Sequence, residues 1–346
     1  MEEVVVSSVL LGCLTGALVG GFLSDRYGRR RLLLTTAVVF ILGAVGAALA
    51  PDTAWLIVAR FFAGTAIGVA SFVAPLYISE IAPVAIRGKL VSLNQLAITC
   101  GIVISYGIDY AFAGAQAWRW MFAIAVIPAA AFGIGLMLIP NSPRWLVSHE
   151  HLDQARDVMK RLRAPEQVES ELNEIKHSAE QQKGHWSELF SPYLRVAMIV
   201  GIGLAIAQQI TGINTIIYYV PTIFKFAGMS SSSVAILASV GVGIINVVMT
   251  IISLQLIDRV GRRPLLLISL TGMTLSLFVL GLAFSLPQFT GSLGVIAVIV
   301  VMTYVGSFAV GMGPIFWLLI SEMYPLRIRG RAMSVATVAN WGANLI

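Results

Sequence analysis

Apolar runs of nearly constant length set the rhythm of this chain. Residues 4–24, 32–50, 121–139, 196–224, 234–257, 265–286 and 293–321 contain no Asp, Glu, Lys or Arg. Two further runs, about 54–79 and 90–110, carry one charge each, Arg60 and Asp109. At a helical rise of about 1.5 Å per residue, each run is long enough to cross a hydrocarbon core of roughly 30 Å. Lipid offers no partners to backbone N–H and C=O groups, so repeated runs of this kind predict helices rather than strands. The expected class is an all-α polytopic membrane protein. The first run is a poor secretory signal, because Glu2 and Glu3 stand where positive charge is needed and further spans follow.

The polar breaks carry a second pattern. Lys and Arg gather at 26–31, 87–89, 144–195, 259–263 and 327–331. The alternate breaks near Pro51, Gly114, Ser230 and Pro287 hold almost none, with Arg119 and Lys225 as flanking exceptions. This alternation places the basic loops in the cytoplasm. The formal charge of +6 is therefore a topology signal and not a nucleic-acid surface. Composition agrees: 58% of residues are hydrophobic and 12% charged, against about a quarter charged in soluble domains. Cys13 and Cys100 lie inside predicted spans and read as small packing residues, and the four His show no ligand spacing. No metal and no cofactor is expected.

An internal repeat orders the spans. Asp25-Arg26-Tyr27-Gly28-Arg29-Arg30 is matched by Asp258-Arg259-Val260-Gly261-Arg262-Arg263, each followed shortly by three leucines. Ser79-Glu80, Pro83 and Ile86-Arg87-Gly88-Lys89 are matched by Ser321-Glu322, Pro325 and Ile328-Arg329-Gly330-Arg331. Paired motifs in one order predict two homologous halves. One span precedes the first Asp-Arg motif and two precede the second. The expectation is six plus six spans, with the first missing, most of the eleventh unfinished and the twelfth absent. Nine complete spans and part of another are thus expected here. The predicted organisation is an N-terminal membrane half over 1–143, a polar cytoplasmic linker with short helices over 144–194, and a C-terminal membrane half over 195–346.

With Pro140-Asn141-Ser142-Pro143-Arg144, Gln208-Gln209-Ile210-Thr211-Gly212-Ile213-Asn214 and Gly313-Pro314-Ile315-Phe316-Trp317 added to the Asp-Arg loops, the chain resembles the sugar porter family of the major facilitator superfamily. The resemblance runs over essentially the whole chain, in family order. It implies the major facilitator fold of two pseudo-symmetric helical halves and alternating-access transport without covalent chemistry. One position departs: the family's usual Pro-Glu-Ser-Pro-Arg has Asn141 in place of Glu.

Candidate functional residues fall into three groups. Charges at the cytoplasmic ends of spans are Asp25, Arg29, Arg30, Glu80, Arg87, Arg144, Asp258, Arg262, Arg263, Glu322 and Arg329. A topology signal needs no acids, yet acids recur beside the bases in both halves; the resemblance implies a cytoplasmic gate. Individually such pairs are worth about 0–1 kcal/mol when exposed, which suits a lock that reopens. The second group is polar and lies mid-span. A sugar's hydroxyls both donate and accept, so a site for it needs neutral amides and an aromatic face. Gln208, Gln209 and Asn214 supply amides, and Gly212 is placed to break the helix there. Ser92, Gln95 and Thr99 form a polar stripe, Asn246, Asn340 and Asn344 add amides, and Trp317 and Trp341 add rings. The bland alternative is interhelical glue worth roughly 0.6–2 kcal/mol each. By resemblance, Gln95, Gln208, Gln209, Asn214, Asn246, Trp317 and Asn340 fall on sugar-contacting positions with Trp341 beside them, and Tyr218 and Tyr219 on the outer gate. The third item is Arg60, a lone cation in an apolar span that needs a partner or a wet cavity. The resemblance sets it beside a proton-accepting Asp of the missing first span.

The reading is monosaccharide transport across the cytoplasmic membrane, sugar:proton symport in the complete protein, by a monomer in lipid. Alternatives are uniport of a sugar, transport of a cyclitol such as inositol, a non-transporting sugar sensor, and an inactive truncated piece. An enzyme is disfavoured, because no nucleophile–base pair or metal-ligand cluster is visible.

Overall fold

The computed structural model describes residues 2–83, 86–113, 117–180, 188, 189, 191–228, 232–289, 291–325 and 328–345. The described residues are helical almost throughout and include no strand. Nine of their helical stretches are long and apolar enough to cross a bilayer, and these fall on the nine apolar runs. The first three are single helices, α1 (Glu2–Tyr27), α2 (Arg29–Ala48) and α3 (Thr53–Ile81), followed by α4 (Arg87–Ala113). The fifth run is two helices, α5 (Trp118–Ile124) and α6 (Val126–Leu138). The linker forms α7 (Pro143–Ser148), α8 (Leu152–Leu162) and α9 (Pro165–Glu180). Beyond it come α10 (Pro192–Ile210), α11 (Ile213–Phe226), α12 (Ser232–Val260), α13 (Arg262–Ser285), α14 (Leu293–Val310), α15 (Met312–Glu322) and α16 (Arg329–Leu345).

The helix boundaries follow local chemistry. Asp52 caps α3 by accepting from Trp55 N at 2.8 Å, and Ser142 caps α7 ahead of Pro143. Gly28 and Gly261, at matching places in the repeated loop, have φ of +85° and +91° with ψ of 153° and 166°. Only glycine adopts that region readily, so the repeat in sequence is also a repeat of one turn.

The chain separates into two units. The first takes Met1–Val91, Phe122–Ile206 and Leu318–Ile346; the second takes Ser92–Met121 and Ala207–Trp317. In the first, α1 lies directly on α3. A methyl group on Gly64 or Gly68 would run into the backbone carbonyls of Val9 or Cys13, so the two axes approach as closely as small-residue membrane interfaces allow. Cys13 is fully buried in that contact as a packing residue. The linker helices make their own small core from Leu146, Val147, Ala155, Met159, Val168, Leu172 and Ile175. In the second unit, Ile213, Ile216, Val220 and Phe224 of α11 pack with Val301, Tyr304, Val305 and Phe308 of α14.

Candidate functional site

The sixth apolar run breaks where the sequence places its glycine. Gly212 has φ +80° and ψ 18°, the left-handed conformation that ends α10 and starts α11. The break changes which side chains face one another. Residues five apart on an unbroken helix point roughly 140° apart, at 100° per residue, and do not meet. Here Asn214 Nδ2 donates to Gln209 Oε1 at 2.9 Å. Gln209 Nε2 donates in turn to Gln208 Oε1 at 3.4 Å, and Gln208 Nε2 to the Met312 carbonyl at 2.9 Å. The result is a row of three carboxamides ending on the backbone of a second break, between α14 and α15.

Two tyrosines hold this region, and they are residues that the sequence reading did not single out. Tyr304 donates its hydroxyl to the Thr211 carbonyl at 2.6 Å, and Tyr106 donates to the Ile217 carbonyl at 2.5 Å. A tyrosine inside an apolar run must find an acceptor for its O–H, and that was the available signal. At the second break, Met312 N donates to Ser269 Oγ at 3.1 Å and Ser253 Oγ to the Val310 carbonyl at 2.6 Å. Each break thus has freed backbone groups satisfied by side chains, as low-dielectric surroundings require.

The amide and hydroxyl candidates of α4 and α12 are buried. Gln95 and Asn246 are 7% and 2% exposed. A methyl on Gly313 would come 3.2 Å from Gln95 Nε2, so that glycine makes room for the amide. Asn246 Oδ1 and Ser92 Oγ have no hydrogen-bond partner among the described residues. Trp317 stacks edge-on against Phe316, with centroids 4.8 Å apart. Thr99 is spent on its own helix, donating to the Leu96 carbonyl. Tyr218 and Tyr219 are exposed on α11.

Asn340 and Trp341 belong to the first unit. Asn340 is buried and its Nδ2 donates to the Ala205 carbonyl at 3.0 Å; Trp341 Nε1 lies 3.3 Å from Ser71 Oγ. Asn344 Nδ2 is buried with no hydrogen-bond partner among the described residues. Arg60 is held in place: its Nε donates to the Val5 carbonyl at 2.9 Å and its guanidinium lies 5.5 Å from the Phe122 ring centre. Both contacts suit a cation in an apolar span. Asp109 is half-buried near the end of α4.

The charged candidates of the first half form a network. Arg29 Nε lies 3.1 Å from Glu80 Oε1 and its Nη2 lies 3.4 Å from Asp25 Oδ1. Arg331, outside the expected set although within its motif, reaches Asp25 Oδ2 at 3.3 Å. Arg30 turns elsewhere and donates to the Leu136 and Met137 carbonyls at 2.8 Å each, capping α6. Trp145 Nε1 donates to the Asp25 carbonyl at 2.9 Å, and its ring lies over Gly28, leaving no room there for a Cβ. In the linker, Arg163 pairs with Glu171 at 2.7 Å and donates to the Ile81 and Ala82 carbonyls at the end of α3. Arg87 and Arg144 are half-buried and Arg329 is buried, its Nε donating to the Tyr324 carbonyl at 3.1 Å. Glu322 is exposed. Of the second-half set, Arg262 Nη1 reaches the Ile257 carbonyl at 3.4 Å and Arg263 is exposed; the Asp258 side chain lies outside the described residues.

Comparison with known proteins places this architecture. Residues 2–346 match the family model described as sugar (and other) transporter. A D-xylose transporter of Levilactobacillus brevis is 43% identical over 345 residues, covering 99% of this chain and 75% of its own length. An arabinose-proton symporter of Bacillus subtilis (strain 168) is 38% identical over 353 residues, covering 99% of this chain and 75% of its own length. The structure of the major facilitator proton:xylose symporter XylE bound to 6-bromo-6-deoxy-D-glucose matches with a TM-score of 0.88 at 35% identity, covering 99% of this chain and 76% of that one. The family and these relatives are transporters, not enzymes, and this is a multi-pass protein of the cell membrane. With its repeated loops, broken spans and full-length family match, the chain belongs to the sugar transporter family of the major facilitator superfamily.

Proposed function

We propose that this transporter carries a monosaccharide in symport with protons, and that the carboxamides around Gly212 are its principal sugar contacts. The observation that carries the reading is the row Gln208, Gln209 and Asn214, assembled by a helix break inside an apolar run. Amides both donate and accept, and can exchange their mutual bonds for bonds to sugar hydroxyls without a change of charge. The unpartnered Asn246 Oδ1 and Ser92 Oγ add acceptors of the same kind, and Gln95 a further amide. Trp317 supplies an apolar face, and Asn340 and Trp341 are kept as sugar-contact candidates on the family resemblance alone. Glue alone accounts poorly for the orphaned Asn246 Oδ1, since an amide kept for packing would have its oxygen paired.

The wider reading uses the other groups. Tyr218 and Tyr219 act at the outer gate, and the Asp25–Arg29–Glu80 network acts at the cytoplasmic gate. The membrane halves 1–143 and 195–346, joined by the linker 144–194, alternate access to the site. Proton coupling is supported by relatives such as the arabinose-proton symporter, and Arg60 is the residue through which a coupled carboxylate would be felt.

The test is sugar-dependent tryptophan fluorescence of the purified protein, followed by uptake into proteoliposomes under an inward proton gradient. Saturable quenching by xylose or arabinose is expected, and so is uptake abolished by a protonophore. Gln208→Ala and Gln209→Ala each lose about tenfold or more in affinity, the value of one to two hydrogen bonds left unmade. Undiminished binding by the double variant would remove the proposed site. Uptake indifferent to the proton gradient would remove the coupling but leave the sugar assignment standing.

A further inference from the structure

A second cluster of the first unit has bonding capacity that its own charges leave unused. Arg329 is 8% exposed; its Nε is engaged with Tyr324, but its Nη1 is buried with no hydrogen-bond partner among the described residues. Arg87 Nε is likewise buried with no hydrogen-bond partner among those residues. So is Glu80 Oε2, although Oε1 of the same carboxylate takes Arg29. These groups are neighbours: Arg144, Glu80, Arg87 and Glu322 all act electrostatically on Arg329, and Glu80 and Arg87 also act on Arg144.

The nearby carboxylates are largely committed elsewhere. Asp25 is shared by Arg29 and Arg331, and Glu171 holds Arg163 through both oxygens at 2.7 and 3.1 Å. Arg87, Arg144 and Arg329 are left with Glu322 and the free oxygen of Glu80. Burial pushes the Arg144 guanidinium below its ordinary value, Arg87 and Arg163 repel it, and Glu80 and Glu171 offset part of this. An uncompensated cation with an unmade hydrogen bond is among the costliest features a folded chain can hold.

We propose that Arg87, Arg144 and Arg329 form a binding site for a phosphate-type oxyanion. Its chemistry is specific. Water satisfies a donor but leaves the excess charge, and a carboxylate neutralises charge but brings Glu80 Oε2 nothing to accept. A phosphate that keeps one proton, or a phosphodiester whose headgroup carries a hydroxyl, does both: its oxygens accept from the guanidinium forks and its O–H donates to Glu80 Oε2. Arg87 and Arg144 are half-buried and so within reach of solvent, while Arg329 is buried. A topology signal does not require this arrangement, because positive-inside residues need only be present, not buried with spare donors. The ligand is either a free phosphate compound or the headgroup phosphate of an anionic lipid.

The experiment uses the purified chain in neutral detergent, with its helicity checked for every variant. Binding of radiolabelled orthophosphate is measured against chloride at matched ionic strength. Retention of phosphatidylglycerol is measured in a parallel arm against phosphatidylcholine. Saturable orthophosphate binding weakened about tenfold or more by Arg144→Gln and by Arg87→Gln supports a free phosphate ligand. Phosphatidylglycerol retention lost in the same variants, without orthophosphate binding, supports a headgroup ligand. Should Arg144→Gln fail to fold, the half-buried Arg87→Gln carries the same comparison. The proposal is overturned if neither phosphate source binds above its control, or if binding survives both substitutions.

Discussion

Arg331 Nε lies 3.3 Å from Asp25 Oδ2, an ion pair between residues 306 positions apart in the chain. The same carboxylate holds Arg29 through its other oxygen, so one half-exposed acid joins α1, the start of α2 and α16. Beside it, Arg29 and Glu80 are much less exposed, at 12% and 6% of their side chains. Two neighbouring pairs of the same chemistry therefore sit in different dielectric surroundings.

That difference predicts unequal costs. Asp25→Asn removes two pairs on an acid that solvent already screens, and should change stability by about 1 kcal/mol or less. Glu80→Gln removes the buried partner of Arg29, which keeps only half-exposed Asp25 and the Ser24 carbonyl, and should cost more, about 1–3 kcal/mol. Thermal melts of the purified variants decide the point. Equal losses would mean that the two pairs share one environment.

The Tyr304 hydroxyl takes the Thr211 carbonyl at the foot of the amide row. Tyr304→Phe leaves that buried carbonyl unmade, at a cost of about 1–3 kcal/mol. Because Thr211 sits between Gln209 and Gly212, the loss should reach ligand affinity as well as stability. About a tenfold weaker response to sugar is expected in the fluorescence titration. An unchanged affinity would show that the hydroxyl supports the fold alone.

How much of this was legible in the sequence follows from where each signal lies. Nine spans, the repeated glycine turn and the break at Gly212 are local: each rests on a run of residues readable in order. Gly311 looked no different from Gly306 or Gly313 in the same run, yet α14 ends at Gly311. What distinguishes it is distant, since Ser269 takes the freed Met312 N–H, Ser253 takes the Val310 carbonyl, and a methyl on Gly311 would run into Leu265. The charges of the cytoplasmic motifs were equally plain, but not that Asp25 would choose Arg331 or that Arg30 would cap α6. Pairing depends on helix packing that no single motif encodes.

Packing of that kind also sets a steric prediction. A methyl on Gly201 of α10 would collide with the Tyr324 hydroxyl, a buried group with no hydrogen-bond partner among the described residues. Tyr324→Phe removes an unpaired polar atom and should be neutral or stabilising, by up to about 1–3 kcal/mol. Gly201→Ala should destabilise the wild-type protein, and less so the Tyr324→Phe background. Additive effects in the melting temperatures of the two single variants and the double variant would argue against this contact.

Gly212 allows the amide row to be tested apart from the amides. Nothing lies within 4 Å of a Cβ placed there, so Gly212→Ala meets no clash and acts through the backbone alone. Holding alanine at φ +80° costs about 1–2 kcal/mol, and alanine favours a continuous helix over glycine by about 1 kcal/mol. Both effects press the break toward closing. A closed helix would turn Asn214 away from Gln209 and undo their 2.9 Å bond while every amide remains in the sequence. The expected result is a sugar affinity reduced more than about tenfold beside a stability change of only about 1–2 kcal/mol. Gly212→Asn, which tolerates the left-handed conformation, should keep most of the affinity. Full affinity in the alanine variant would separate the helix break from ligand recognition.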